Sequence, residues 1–160
     1  MKLYQHILRE KVAEGERVID LGCGDGEVLD ALIKEKGCEG YGVEQDFSQV
    51  VAAIQRGLPV YQGDILDGLK SFGDNVFDTA ILSQTLQQVM CPIDVMNAMC
   101  RVAKRAIVTF PNFGYWRVRL QLLRTGHSPK TEHLPYDWHN TPNIRVITIN
   151  DFRLLCKENG

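Results

Sequence analysis

The chain has 160 residues, of which 44% are hydrophobic and 24% charged, and a formal net charge of −2; that is enough for one domain with a sizeable core. No run approaches the roughly 18 apolar residues of a membrane-spanning helix, and no signal-peptide hydrophobic region opens the chain, so a cytoplasmic protein is expected. Five scattered cysteines, Cys23, Cys38, Cys91, Cys100 and Cys156, include no Cys-x-x-Cys pair, which argues for buried reduced thiols and against a disulfide framework or a zinc site.

Residues 2–13 read as an amphipathic helix with Leu3, Ile7, Leu8 and Val12 on one face. A first strand over about 17–21 runs into Gly22-Cys23-Gly24-Asp25-Gly26, and a helix follows over 26–36. Alternating glycines between a buried strand and a helix allow positive φ and the close approach of a ligand. A second strand over 40–44 ends in Glu44, with Gln45 beside it, and a helix over 47–56 stops at Gly57. The third strand covers 59–62 and is followed by Gly63-Asp64-Ile65 and a short helix near 66–72. The fourth strand, 77–83, ends in Ser83; a helix over 92–103 begins at Pro92, well placed in a first turn. Residues 106–110 form a fifth strand stopped by Pro111, residues 144–149 are strand-like, and Thr148 caps a final helix closed by Gly160. Such βαβ alternation predicts an α/β, Rossmann-like fold: a mostly parallel twisted sheet with helices on both faces. Ligands of these sheets sit beyond the strands' C-terminal ends, where strand order reverses.

The chemistry of the glycine turn narrows the ligand. A dinucleotide site uses G-x-G-x-x-G with a pyrophosphate on the helix N-terminus. Here that third position is Glu27, glycine falls one residue early at Gly26, and Asp20 and Asp25 stand where a diphosphate would dock. Carboxylates there repel phosphates and suit a cationic ligand. S-adenosylmethionine, with a sulfonium, an ammonium and no phosphate, fits. Glu44 lies 18 residues beyond Gly26, a spacing suited to ribose hydroxyls, while Asp64 and Ile65 suit an adenine amino group and ring. The predicted cofactor site is therefore Asp20, Gly22, Cys23, Gly24, Gly26, Glu44, Gln45, Asp64, Ile65 and Ser83.

These residues resemble the glycine-rich loop, acidic second-strand end and Gly-Asp turn of class I methyltransferases. The stretch 110–122, the stretch 134–144 (Leu-Pro-Tyr-Asp-Trp-His-Asn-Thr-Pro-Asn-Ile) and Ser83-Gln84-Thr85-Leu86-Gln87 resemble the MetW family of methionine-biosynthesis proteins along essentially the whole chain. The resemblance implies binding of S-adenosylmethionine or S-adenosylhomocysteine and action beside homoserine O-acyltransferase. It also implies two more strands after strand five; with none left in the sequence, strand five is expected to be an edge and the chain to be truncated after Gly160. The whole is expected to be one methyltransferase-like domain in which 111–145 forms a lid or partner-contact insertion.

Charge is segregated. Residues 1–94 hold eight Lys/Arg against sixteen Asp/Glu, whereas residues 95–131 hold seven Lys/Arg and no acid. The basic stretch (Arg101, Lys104, Arg105, Arg117, Arg119, Arg124, Lys130) interleaves with Phe113, Tyr115 and Trp116. That composition fits a protein interface or a lid, a plain solvated surface, or RNA, but a sequence pI of about 6.1 argues against a dedicated nucleic-acid binder.

Methyl transfer from a sulfonium is an in-line displacement that mainly needs positioning; an oxygen or nitrogen acceptor usually also needs a base. Ser83-Gln84-Thr85 lacks the Asn/Asp-Pro-Pro-aromatic arrangement of nucleic-acid amino-methyltransferases. His127, His133, His139, Tyr115, Tyr136 and Asp137 are available but read as ordinary loop residues, so no catalytic residue is assigned. The alternative to a MetW-type accessory protein is an active methyltransferase on a small molecule or protein acceptor.

Overall fold

The computed structural model describes residues 3–131 and 134–159, in two compact units: residues up to 85 with 91–109, and residues 86–90 with those from 110 on.

The first unit is built on five parallel strands, β1 (Arg17–Leu21), β2 (Glu39–Glu44), β3 (Val60–Gln62), β4 (Phe77–Ser83) and β5 (Ala103–Thr109), in the order β3-β2-β1-β4-β5. The crossovers are α2 (Glu27–Lys36), α3 (Phe47–Gln55), α4 (Ile65–Lys70) and α5 (Pro92–Val102), and α1 (Leu3–Lys11) precedes β1. Right-handed crossovers that run outward from β1 through β2 to β3, and the other way from β4 to β5, put α2 and α3 on one face and α5 on the other. In agreement, α1 packs on α2 and α4 on α5.

β1 is central, and Val18, Ile19 and Leu21 are fully buried, as expected of a strand covered on both faces. Leu8, Val12, Val18, Leu29, Leu32 and Ile81 anchor the core. α1 turns a different face inward from the one predicted: Gln5, Leu8 and Val12 are buried while Ile7 is 41% exposed. Lys2 lies outside the described residues, as does the Leu3 side chain. All five cysteines are free, but only Cys23 and Cys38 are buried; Cys91, Cys100 and Cys156 are exposed, which corrects the expectation of five buried thiols. β5 is a sheet edge as expected, and begins three residues before the predicted strand.

The second unit contains a 3-10 turn, Leu86–Gln88, and two helices, α6 (Trp116–Thr125) and α7 (Ile149–Asn159). α6 was not foreseen. Thr148 caps α7 as expected: its Oγ1 accepts the Asp151 N–H (3.1 Å) and donates to Asp151 Oδ2 (2.6 Å). Gly160, the predicted stop of that helix, lies outside the described residues. Residues 144–149 form no strand before α7. The N–H groups of Ile144 and Arg145 both donate to the Gln87 carbonyl, at 3.0 and 3.1 Å, and Phe113 N–H donates to the Ile147 carbonyl; the segment is pinned to turns instead of a ladder. The Phe110 and Phe152 rings lie 5.0 Å apart.

Candidate functional site

The sheet's order reverses at β1: the chain steps outward through β2 to β3 on one side and through β4 to β5 on the other, all strands running parallel. Outside the C-terminal ends of β1 and β4 lies a cavity of about 220 Å³. Its walls are Asp20, Gly22, Cys23, Gly24 and Ser83 from the predicted set, with Gln5, Asp25, Glu27, Val28 and Gln49. The volume is below the ~300–1,000 Å³ usual for ligand pockets, so a nucleoside-sized ligand would extend beyond it. Gly26, Glu44, Gln45, Asp64 and Ile65 are not part of its wall.

The turn is shaped by backbone bonds. Gly22 and Cys23 N–H both donate to the Val43 carbonyl, at 2.7 and 3.1 Å, and Gly26 N–H to the Cys23 carbonyl. Gly22, Gly24 and Gly26 all have positive φ (72, 57 and 75°), a region that non-glycine residues rarely occupy. Their surroundings differ. A Cβ on Gly22 would lie 2.6 Å from Thr85 Oγ1, and one on Gly26 would lie 2.2 Å from Leu58 Cδ1, whereas one on Gly24 would meet nothing nearer than Gln49 Oε1 at 3.7 Å. Gly26 therefore lets the start of α2 pack closely on Ala53 of α3 and on Leu58 beyond it, and Gly24 is the glycine that leaves open space.

Glu44 holds the turn. Its Oε2 accepts the Gly24 N–H at 2.8 Å, and its Oε1 accepts those of Gln45 and Asp46 at 2.8 and 2.9 Å. Asp46 in turn caps α3, accepting from Ser48 and Gln49 N–H, and Asp64 caps α4, accepting from Leu66 N–H at 2.8 Å. Asp64 is exposed and Ile65 half-buried. Ser83 Oγ lies 3.1 Å from Thr109 Oγ1.

Asp20 is the anomaly. It is 2% exposed, and its Oδ1 is buried with no hydrogen-bond partner among the described residues. Burial, and secondarily the charge of Glu44, raise its pKa from 3.8 to about 7. Burial, then Asp20 and Glu44, push the Cys23 thiol up to about 12, so it is an inert thiol. A buried carboxylate without a donor at a cavity wall is a marker of function, because an unmet polar atom costs about 1–3 kcal/mol. Asp25 plays a smaller electrostatic part than the sequence suggested, since its Oδ2 is paired with Arg56 at 2.6 Å. The negative character of the cavity comes instead from Asp20 and Glu27, with Glu44 behind the turn.

Two wall residues escaped the sequence reading. Gln5 on α1 donates to Glu27 Oε2 at 2.6 Å, and Gln49 projects from the first turns of α3. The signal for Gln5 was its spacing from Leu8 and Val12, which puts it on the buried stripe. The loop residues weighed as bases belong to the second unit. There Asp137 pairs with Lys130 at 2.6 Å, which holds its carboxyl below the usual range, and the His139 ring packs edge-on to Trp138. His133 lies outside the described residues.

The fold recurs among solved structures. An Archaeoglobus fulgidus structure described as an S-adenosylmethionine-dependent methyltransferase superposes with a TM-score of 0.72 at 19% identity, over 99% of this chain and 65% of that one. A Thermotoga maritima S-adenosylmethionine-dependent methyltransferase, possibly acting on histamine, superposes with a TM-score of 0.71 at 19% identity, over 99% and 69%. At such identities the likeness concerns the fold: a class I methyltransferase sheet. A bifunctional methionine biosynthesis protein MetXA/MetW of Rhodopirellula baltica is 39% identical over 155 residues, covering 91% of this chain and 25% of that protein; the chain thus spans a quarter of that relative's length. The family described as methionine biosynthesis protein MetW matches residues 3–160, and the chain belongs to that family.

Proposed function

We propose that this chain is an S-adenosylmethionine-binding protein of methionine biosynthesis that acts with a homoserine O-acyltransferase in the cytoplasm. The observation that carries the ligand assignment is the buried, donor-less Oδ1 of Asp20 at the cavity wall. An ammonium group donates to it and carries the opposite charge, whereas an ionised phosphate repels it. Asp20, Gly22, Cys23, Gly24 and Ser83 would hold the amino-acid end, Gly26 would set the start of α2, Glu44 and Gln45 would take the ribose, and Asp64 and Ile65 the adenine. When bound, S-adenosylmethionine supplies an electrophilic methyl group; S-adenosylhomocysteine fits the same donors without it.

The partner assignment is supported by the MetXA/MetW relative, whose name joins a second, MetXA part to a MetW part in one protein; we take that second part to be the acyltransferase. Since S-adenosylmethionine is made from methionine, binding it would let the pair sense the end product. Isothermal titration with S-adenosylmethionine and NAD side by side tests the site, and tight binding of NAD alone would overturn it. Co-purification with the acyltransferase and the acyl-transfer rate test the partnership; no complex and no change in rate would overturn that.

The second reading, methyl transfer to a small molecule or protein, is favoured by the fold. The cavity wall offers carboxylates, amides, a hydroxyl and a thiol held protonated, and no imidazole among the described residues. Tritiated-methyl transfer into metabolite pools above the solvent background would establish it.

A further inference from the structure

α6 presents an unusual outer face. Side chains four and seven positions apart share one side of a helix, so Trp116, Leu120 and Leu123 form a stripe, opposite Val118, the buried residue of this helix. Trp116 is 58% exposed and Leu123 83%. Arg119 borders the stripe on one side, Arg117 and Arg124 on the other. None of these arginines has a carboxylate partner among the described residues, and residues 95–131 contain no Asp or Glu. The Arg117 guanidinium lies over the Trp116 ring, 5.2 Å from its centroid. The surface along Trp116, Arg119, Leu120, Leu122 and Leu123 lies open to solvent and is lined by this helix alone.

We propose that this face of α6 is where the acyltransferase docks, through an apolar groove on that enzyme bordered by aspartate and glutamate side chains. The proposal rests on the partnership proposed above and assigns it a surface. A helix laid apolar side down into a groove is a common recognition mode, and Trp and Arg are the residue types most enriched among interface hot spots. Three uncompensated guanidinium forks match carboxylates in bidentate geometry. RNA fits less well, since leucines cannot stack on bases and Arg117 already covers the one indole face. A second copy of the chain fits less well too. Its exposed apolar stripe, Phe47, Val51 and Ile54, lies on α3, whose nine residues carry no charge to answer the arginines.

The test uses the full chain with the purified acyltransferase, comparing wild type with Leu123→Asp, the double reversal Arg119→Glu with Arg124→Glu, and Ile54→Asp as a control on the other stripe. The expected result is a complex that weakens with salt, is weakened about thirtyfold or more by Leu123→Asp, and is weakened and made less salt-sensitive by the reversal. Ile54→Asp is expected to bind as wild type, and all variants to keep their affinity for S-adenosylmethionine. Variants on α6 that bind the acyltransferase as tightly as wild type would overturn the docking surface while leaving the partnership intact. Loss of self-association, of anionic-vesicle binding or of RNA binding in its place would also overturn it. A wild-type chain that forms no complex would instead remove the partnership, and the docking surface with it.

Discussion

Glu44 at the end of β2 and Gly24 in the turn after β1 are joined by a 2.8 Å hydrogen bond from the glycine N–H to the carboxylate. One side chain thus fixes the turn while standing where a ribose would be read. Glu44→Ala is expected to weaken S-adenosylmethionine binding by about 1.5–3 kcal/mol, the worth of hydrogen bonds to a charged group. Isothermal titration calorimetry checks it; unchanged affinity would show that this carboxylate serves the turn alone.

The glycines of the turn are expected to separate by substitution. Gly26→Ala meets Leu58 at 2.2 Å and keeps a left-handed φ of 75°, so overpacking and backbone strain together should cost about 3 kcal/mol of stability. Gly24→Ala carries only the strain, about 1–2 kcal/mol, because its Cβ enters open space. Urea unfolding should rank Gly26→Ala well below Gly24→Ala, while ligand titration should find Gly24→Ala impaired in binding despite its retained fold.

Asp20 gives stability a pH dependence with a definite sign. Its folded-state pKa of about 7 stands above the unfolded value of 3.8, so the folded state holds the extra proton between those limits. Stability from this group is therefore greatest below pH ~4, falls as pH rises towards 7, and is flat above. Asp20→Asn, neutral throughout, should match wild type in acid and exceed it by up to about 4 kcal/mol at pH 8. Denaturant midpoints across that range measure the gap; a gap that does not widen with pH would refute the assignment.

The same proton should appear in binding. A cationic ligand needs Asp20 ionised, so affinity for S-adenosylmethionine should rise about tenfold per pH unit below 7 and level off above it. Titrations in buffers of differing ionisation enthalpy would count the proton released. In Asp20→Asn the slope should vanish and binding should be weak at every pH.

The framework was legible because hydrophobic periodicity and turn chemistry agreed over residues 17–109. Val18, Ile19 and Leu21 run straight into glycines, and Gly57, Pro92 and Pro111 mark boundaries that the chain obeys. α6 was hidden because Trp116, Val118 and Leu120 alternate with arginines, a period-two pattern, and because only Val118 turns inward to leave a helical imprint. The strand-like pattern of 144–149 misled for the opposite reason: Ile144 and Val146 alternate as in a sheet yet are 54% and 73% exposed, with no strand paired to them among the described residues. At the site, the acids could be read from spacing. Gln5 was legible only through its spacing from Leu8 and Val12, and the division of labour between Gly24 and Gly26 was not legible at all, because it depends on where Leu58 lies.

The position of β1 between β2 and β4 also dictates the order in which a newly made chain can settle. Val18 pairs with Gly40 on one side but with Thr79 on the other, so half of the central strand's ladder must wait for a segment some sixty residues downstream. Closing so long a loop is slow and leaves an apolar strand uncovered meanwhile. During synthesis the central strand emerges with one edge still unpaired, and that edge can be covered only once the ribosome has released the fourth strand.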